Sequence, residues 1–312
     1  MIFDVLAVAP SPSIDREVIN PNFRLQQINR PEQVIVMAGG KGLNVARAVS
    51  RLGGNVKACL LLAGHNGRWI KDQLQQEGIA FTAAWSQGET RVSTSIIDPQ
   101  SPGLTEIYER GDLVDLNSWQ MFEEVLQNAL ADVNWVTFSG SLPPGVNPQG
   151  MYRMIGSVHR AARSCAVDGR GDFLRNALAA KPEIVKINAL EAAEVLNCGI
   201  NTITEALNAA EAICDLGAAT AVITLGDRGA VSAGHYGRWV GQSPVIETVA
   251  PVGSGDSFLG ALVLTLARGQ ELPLALSWAI AAGAANAMTV GVANIDLSVV
   301  EQLSHKVQVL AV

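Results

Sequence analysis

The chain has 312 residues, 48% of them hydrophobic and only 16% charged, with a formal net charge of −7. That balance excludes a disordered chain, which needs low hydrophobicity and high charge. The 22 lysines and arginines are scattered singly or in pairs, so no basic face is offered to nucleic acid and none is expected as a partner.

Read from the start, Met1–Pro10 lacks a basic segment and carries Asp4 inside its apolar run, so it predicts a first strand rather than a signal peptide. Short β-branched or apolar runs predict further strands at Val56–Leu62, Val133–Phe138, Ala166–Asp168, Ile184–Ile187 and Ala221–Leu225. Helical spacing between them predicts helices at Leu43–Leu52, Trp69–Gln76, Ser118–Ala131, Gln149–Arg163, Ala189–Leu196 and Thr204–Leu216. Three more are expected at Ser257–Arg268, Leu274–Met288 and Leu297–His305. Alternation of this kind predicts an α/β fold with a central, mostly parallel sheet and helices on both faces.

Two segments break the rhythm. Residues of about 14–37 and 88–110 read as extended, with turn residues at Asn20-Pro21, Asp98-Pro99 and Ser101-Pro102. They are expected to pair into a small discontinuous β lid on one domain spanning 1–312. Leu272–Ile295 is uncharged and long enough to cross a bilayer, but its Pro, Gly, Asn, Ser and Thr content predicts a buried helix, and no membrane partner is expected. The four cysteines are far apart and show no zinc-ligand spacing, so they are expected to be reduced thiols in a cytoplasmic protein. The four histidines form no spaced pair and are expected to take no part in catalysis.

Two glycine turns carry the chemistry. In Val252-Gly-Ser-Gly-Asp256, the backbone N–H groups of Gly253, Ser254 and Gly255 are expected to lie unpaired at a helix N-terminus, where the helix dipole also favours an anion. Asp256 beside them can accept a proton from an incoming hydroxyl. The second turn, Gly39-Gly-Lys-Gly-Leu-Asn44, is neither a P-loop nor a dinucleotide fingerprint, since Lys41 is followed by Gly42 and Val45 stands where a third glycine belongs. Lys41 and Asn44 offer donors to sugar hydroxyls or phosphate.

Taken with Asp15, Asn188-Ala-Leu-Glu191 and Thr224-Leu-Gly226-Asp-Arg-Gly229, these turns resemble the PfkB family of carbohydrate kinases, of ribokinase-like fold, over nearly the whole chain. Ser139-Gly-Ser-Leu-Pro-Pro-Gly145 and Ala281–Ala287 resemble its phosphosugar branch. The resemblance implies transfer of the γ-phosphoryl group of Mg-ATP to a hydroxyl of fructose 1-phosphate, fructose 6-phosphate or tagatose 6-phosphate. Asp256 becomes the general base, and Gly253, Ser254 and Gly255 the anion hole. Asp15, Gly39, Gly40, Lys41, Asn44, Arg91 and Ser139 bind the sugar phosphate. Lys186, Asn188, Thr224, Gly226, Gly229 and Asn286 bind ATP, and Glu191 with Asn188 holds Mg²⁺ through water. Potassium is a candidate activator, and a homodimer through the lid a candidate assembly.

Some positions depart from the family pattern. Lys186-Ile187-Asn188 replaces Lys-Pro-Asn, Ala250 stands where Asp or Asn is usual, Ser93 replaces a common Asn, and the Thr105–Asp112 stretch lacks a Pro-Gly-Pro turn. The lid departures keep open a kinase for an unphosphorylated sugar or nucleoside. A non-catalytic sugar or nucleotide sensor is the remaining alternative, and the presence of Asp256 speaks against it.

Overall fold

A computed structural model describes residues 2–101 and 104–312. The first half of the chain runs β1 (Phe3–Ala9), β2 (Ser13–Ile19), β3 (Gln33–Gly39), α1 (Lys41–Arg51), β4 (Val56–Ala63), α2 (Gly64–Gln76), β5 (Ala80–Ser86), β6 (Val92–Ile97), β7 (Leu104–Tyr108) and α3 (Leu116–Ala129). It continues through β8 (Val133–Gly140), α4 (Gln149–Arg160), β9 (Ser164–Gly169), α5 (Gly171–Ala179), β10 (Ile184–Asn188), α6 (Ala189–Leu196), α7 (Ile203–Asp215) and β11 (Thr220–Thr224). The last part is β12 (Ala230–Gly234), β13 (Trp239–Gln242), α8 (Ser254–Ala267), α9 (Leu272–Ala287), α10 (Leu297–Ser304) and β14 (Gln308–Ala311).

Ten strands form the main sheet in the order β14-β13-β12-β11-β10-β9-β8-β1-β4-β5. From β11 to β5 every pairing is parallel, and β12, β13 and β14 extend one edge antiparallel. A parallel sheet must be covered on both faces, and β1 shows how its sequence meets that demand. Val5, Ala7 and Ala9 point into a core shared with α1, α2, α8, α9 and α10. Leu6 and Val8 point into a second core with α3, α4, α5, α6 and α7. Phe122 of α3 is fully buried in that second core, where truncation to alanine costs about 3–5 kcal/mol.

The two irregular segments supply a second sheet of order β3-β2-β6-β7. The centre pair, β2 and β6, is parallel, and the outer strands are antiparallel to it. The expected turn at Ser101-Pro102 reaches Pro102, which lies outside the described residues.

The six predicted strands of the main sheet are present with small changes of boundary. The short helix α5 and strands β5, β12, β13 and β14 were not anticipated. Strand β5 mixes alanine with polar residues, and the other three strands are only four or five residues long, too short for a clear period. Helix α8 begins three residues earlier than its predicted start, which puts Asp256 inside the first turn. α8 is buried on almost all sides, so its apolar run gives no amphipathic period to mark an edge. Among the described residues no helix is long and apolar enough to cross a membrane, and Leu272–Ala287 is the buried helix α9.

Candidate active site

The carboxyl ends of the parallel strands open into a cleft of about 1160 Å³, walled on the far side by the small sheet. Open α/β sheets bind ligands at that end, because strand ends and helix starts meet there. Asp15, Gly40, Lys41, Asn44, Arg91, Ser139, Lys186, Asn188, Glu191, Thr224, Gly226, Gly229 and the run Gly253–Asp256 all line it. These residues come from both sheets and from positions more than 200 residues apart in the chain.

At the centre stands the start of α8. Gly253 caps the helix with φ 81°, a left-handed conformation, and a Cβ there would lie 2.3 Å from Val292 Cγ1. The amides of Gly253 and Gly255 have no acceptor among the described residues. The expected trio is reduced to this pair, because the tight turn into the helix spends the Ser254 N–H on the Pro251 carbonyl at 3.2 Å. One turn of helix thus presents two free donors and its dipole to the cleft.

Asp256 is 6% exposed and accepts a 2.8 Å hydrogen bond from Asn44 Nδ2. Burial raises its pKa to about 6; Lys41 and Asn44 pull the other way, and the nearby Asp168 charge adds to the rise. A carboxyl so placed is ionised at neutral pH yet basic enough to take a proton. Asn44 is fixed in turn by α1, the helix opened by the Gly39–Gly42 turn. Arg47, one turn on, donates to Asn44 Oδ1, to the Ala38 carbonyl and to both oxygens of Glu77.

A second cluster lies beside it. Asp168, buried at the end of β9, accepts from Lys41 Nζ at 2.9 Å and from Lys186 Nζ at 2.6 Å. Burial works against its charge, but the two lysines outweigh it and hold the carboxyl at about 2. Burial likewise lowers Lys41, yet the charges of Asp168, Asp256 and Glu191 more than reverse this and raise it. Asp168 closes the predicted strand Ala166–Asp168 and is not among the expected site residues. Its pairing with two lysines distant in sequence carries no local signature.

Asn188 and Glu191 form a capping box at the start of α6. Asn188 Oδ1 accepts from the Glu191 amide and Glu191 Oε2 from the Asn188 amide. Glu191 Oε1 stands 3.8 Å from Lys41 Nζ. This all-oxygen donor set suits a hard divalent cation reached through water.

On the opposite wall, Asp15 of β2 accepts from Ser13 Oγ at 2.5 Å and from the Gly40 amide at 3.1 Å. Burial raises its pKa against those bonds. Gly39 does not line the cleft; a Cβ there would fall 2.0 Å from Asp15 Oδ2, so its role is to let the carboxylate lie against the backbone. Among the described residues Arg91 donates only to the carbonyls of Ser11 and Glu109, at 3.3 and 3.4 Å, and its Nε has no partner. Ser139 Oγ and Glu17 Oε2 are likewise buried without a partner.

Besides Gly39, a second predicted contact is corrected. Asn286 is fully buried and lies off the cleft, donating to the Val252 carbonyl and to Ser254 Oγ while accepting from the Ala293 amide. It braces the turn before α8, and its neighbours Gly283, Ala284 and Ala287 face the cleft instead. The Ser243–Ile246 segment, also lining this end, follows the short strand β13 and has no pattern that would have singled it out.

A sequence profile of the pfkB family of carbohydrate kinases matches residues 9–298. The tagatose-6-phosphate kinase of Staphylococcus epidermidis is 29% identical, over 99% of this chain and 100% of its own. The 1-phosphofructokinase of Escherichia coli K12 is 27% identical over 93% of each chain. A crystal structure of phosphofructokinase-2 from Escherichia coli in complex with potassium superposes with TM-score 0.91 at 26% identity, over 98% of this chain and 99% of that one.

Proposed function

The chain belongs to the pfkB family of carbohydrate kinases, and on that premise we propose that it transfers the γ-phosphoryl group of Mg-ATP to a hydroxyl of a phosphorylated ketohexose. The enzyme is a phosphotransferase with an alcohol acceptor. The observation that carries the finer reading is the convergence of Asp256, two free amides and Arg91 on one cleft.

Phosphoryl transfer asks a protein chiefly for positioning and charge neutralisation. ATP lies in the half of the cleft bounded by Thr224, Gly226 and Gly229, with the adenine against Gly283, Ala284 and Ala287. Its γ-phosphoryl group meets the Gly253 and Gly255 amides, which need not reorganise as charge moves. Magnesium, held through water by Glu191 and Asn188, would shield the phosphate charge. Lys186, anchored by Asp168, stands by the phosphates.

The acceptor lies against Asp15, Asn44 and the unpartnered Ser139 hydroxyl. Its own phosphate faces Arg91 and Lys41. Asp256 takes the proton of the attacking hydroxyl, with Asn44 keeping the carboxylate aimed. The small sheet acts as the lid of this one domain, and its exposed Val34, Val36, Ile107 and Tyr108 are where two copies would pair into a homodimer in the cytoplasm.

One observation favours a second reading, a free sugar or nucleoside as acceptor. The lid wall carries the carboxylates of Asp15, Glu17 and Glu106 against the guanidiniums of Arg16 and Arg91, an environment with no excess of positive charge for a phosphate. Mg-ATP-dependent ADP release with fructose 1-phosphate, fructose 6-phosphate, tagatose 6-phosphate, fructose, ribose and adenosine decides between them. Preference for a phosphorylated ketose is the expected result, and turnover of only the free sugars or adenosine overturns it. Replacing K⁺ by tetramethylammonium in the same assay tests potassium activation.

A further inference from the structure

We propose that His159, Cys165 and Glu183 form a binding site for a thiophilic divalent cation of the zinc type. The site sits at the opposite rim of the main sheet from the cleft. His159 is in the last turn of α4, Cys165 is the second residue of β9, and Glu183 immediately precedes β10. β9 and β10 run parallel with Ile184 opposite Ala166, which brings Glu183 alongside Cys165. One donor atom from each residue lies within 4.8 Å of the other two.

The arrangement is half-buried, with Cys165 fully enclosed. Glu183 Oε2 accepts the Cys165 amide at 2.7 Å, which anchors the carboxylate and leaves Oε1 to face the histidine. His159 Nε2 is 3.3 Å from Oε1 but poorly aligned with it, so this buried nitrogen has no hydrogen-bond partner among the described residues. A ring nitrogen, a thiol and a carboxylate oxygen thus meet within one small space. Zinc bonds of about 2.0–2.3 Å imply ligand edges of roughly 3.5 Å, so modest side-chain closure completes three corners of a tetrahedron. His159 and Glu183 keep about a third of their side chains exposed, at 33% and 31%, which gives the ion a path and a water the fourth corner.

The donor set also chooses its ion. A thiolate and an imidazole suit zinc and its neighbours, whereas magnesium prefers oxygen alone, so the nucleotide's cation does not compete here. In the free chain, burial and then the Glu183 charge keep the Cys165 thiol protonated. Binding therefore breaks the S–H bond, forms the S–metal bond and releases one proton to water. The thiolate and the carboxylate then balance the two charges of the ion. Bound metal ties α4, β9 and β10 together at the rim away from the reaction.

Cobalt(II) is the probe, added to the metal-stripped full-length protein without nucleotide. A thiolate-to-cobalt charge-transfer band at one equivalent, displaced by zinc, is the expected result. C165S should abolish the band, H159A and E183Q should each weaken binding by roughly 10-fold or more, and C198S should leave it unchanged. Zinc should also raise the melting temperature of the parent and not of H159A, a partly exposed position whose variant keeps the core intact. Absence of the band, or a band that survives C165S or follows Cys198 or Cys214, overturns the proposal.

Discussion

On the wall of the cleft built from the main sheet, Asp168 accepts from two lysines and Asp256 from Asn44, itself held by Arg47. On the wall built from the small sheet, Glu17 Oε2 and Arg91 Nε are buried without a partner among the described residues. A buried polar group left unpaired costs about 1–3 kcal/mol, and the main-sheet wall shows that deficit at Ser139 Oγ, on the side assigned to the acceptor, but not at the carboxylates of Asp168 and Asp256. The difference separates two tasks. Groups that stabilise the transferring phosphoryl group must be in place beforehand, whereas groups that choose the acceptor can be completed by the acceptor itself.

The largest effect is expected from removing the base on the finished wall. Asp256→Asn should lower kcat by about 10²–10⁴-fold and change KM for the acceptor only a few-fold, because asparagine keeps the side chain's size. Turnover near that of the parent, measured under saturating Mg-ATP, removes Asp256 from the mechanism. Next comes the support behind it. Asp168→Asn leaves Lys186 buried without its counter-charge, so unfolding free energy in urea should fall by about 3–5 kcal/mol. A variant as stable as the parent would mean that the lysines find other partners and that this wall is less fixed than its hydrogen bonds imply.

The finished wall also exacts a cost that pH can expose. Asp256 has a folded pKa of about 6 against an ordinary value of 3.8. Burial therefore favours the protonated form. Below about pH 4 the group is neutral folded or unfolded and costs nothing; as pH rises through 6 the folded state must carry the buried charge and loses stability. Asp256→Asn should accordingly be more stable than the parent at pH 8, by at most about 3 kcal/mol, and equal to it near pH 4. Thermal melts at the two pH values check the sign, and a variant less stable at pH 8 refutes it. The parent's kcat/KM should fall below about pH 6 as the base protonates.

How much of this was legible follows from where each signal resides. The sheet and both glycine turns could be read because hydrophobic runs and helix starts are local properties of the sequence. Lys41, Asn44 and Asp256 were readable as donors and base because their turns place them. Asp168 was not counted, since its two lysines meet it only through the fold. Asn286 was misplaced for a related reason: it sits in the right stretch of chain, but its amide is turned toward Val252 and Ser254 while the alanines beside it face the cleft. The free Ser254 amide failed on geometry alone, since only the folded turn shows that Pro251 takes it.

On the acceptor wall the effects should be smaller and confined to KM. Arg91→Ala should raise KM for a phosphorylated ketose by about 10-fold or more, the scale of a lost charge-assisted hydrogen bond, and leave kcat within a few-fold. An unchanged KM favours the free sugar or nucleoside.

Glu17→Gln is the most delicate of these tests. Glu17 is only 4% exposed, and burial, then the neighbouring Asp15 charge, raises its pKa. Its carboxylate faces the same space that an acceptor phosphate must enter, so removing the charge should lower KM for phosphorylated ketoses by about 3-fold, as expected for one like-charge contact across a partly wet cleft. The gain should shrink as salt is added. The same substitution should do nothing for a neutral acceptor, or should raise its KM if the carboxylate binds a sugar hydroxyl. A ratio of KM values for a phosphorylated and a neutral ketose that stays the same in the variant would show that Glu17 does not sense the acceptor's charge. The unpaired oxygen on this wall would then have to be met by some group other than the substrate.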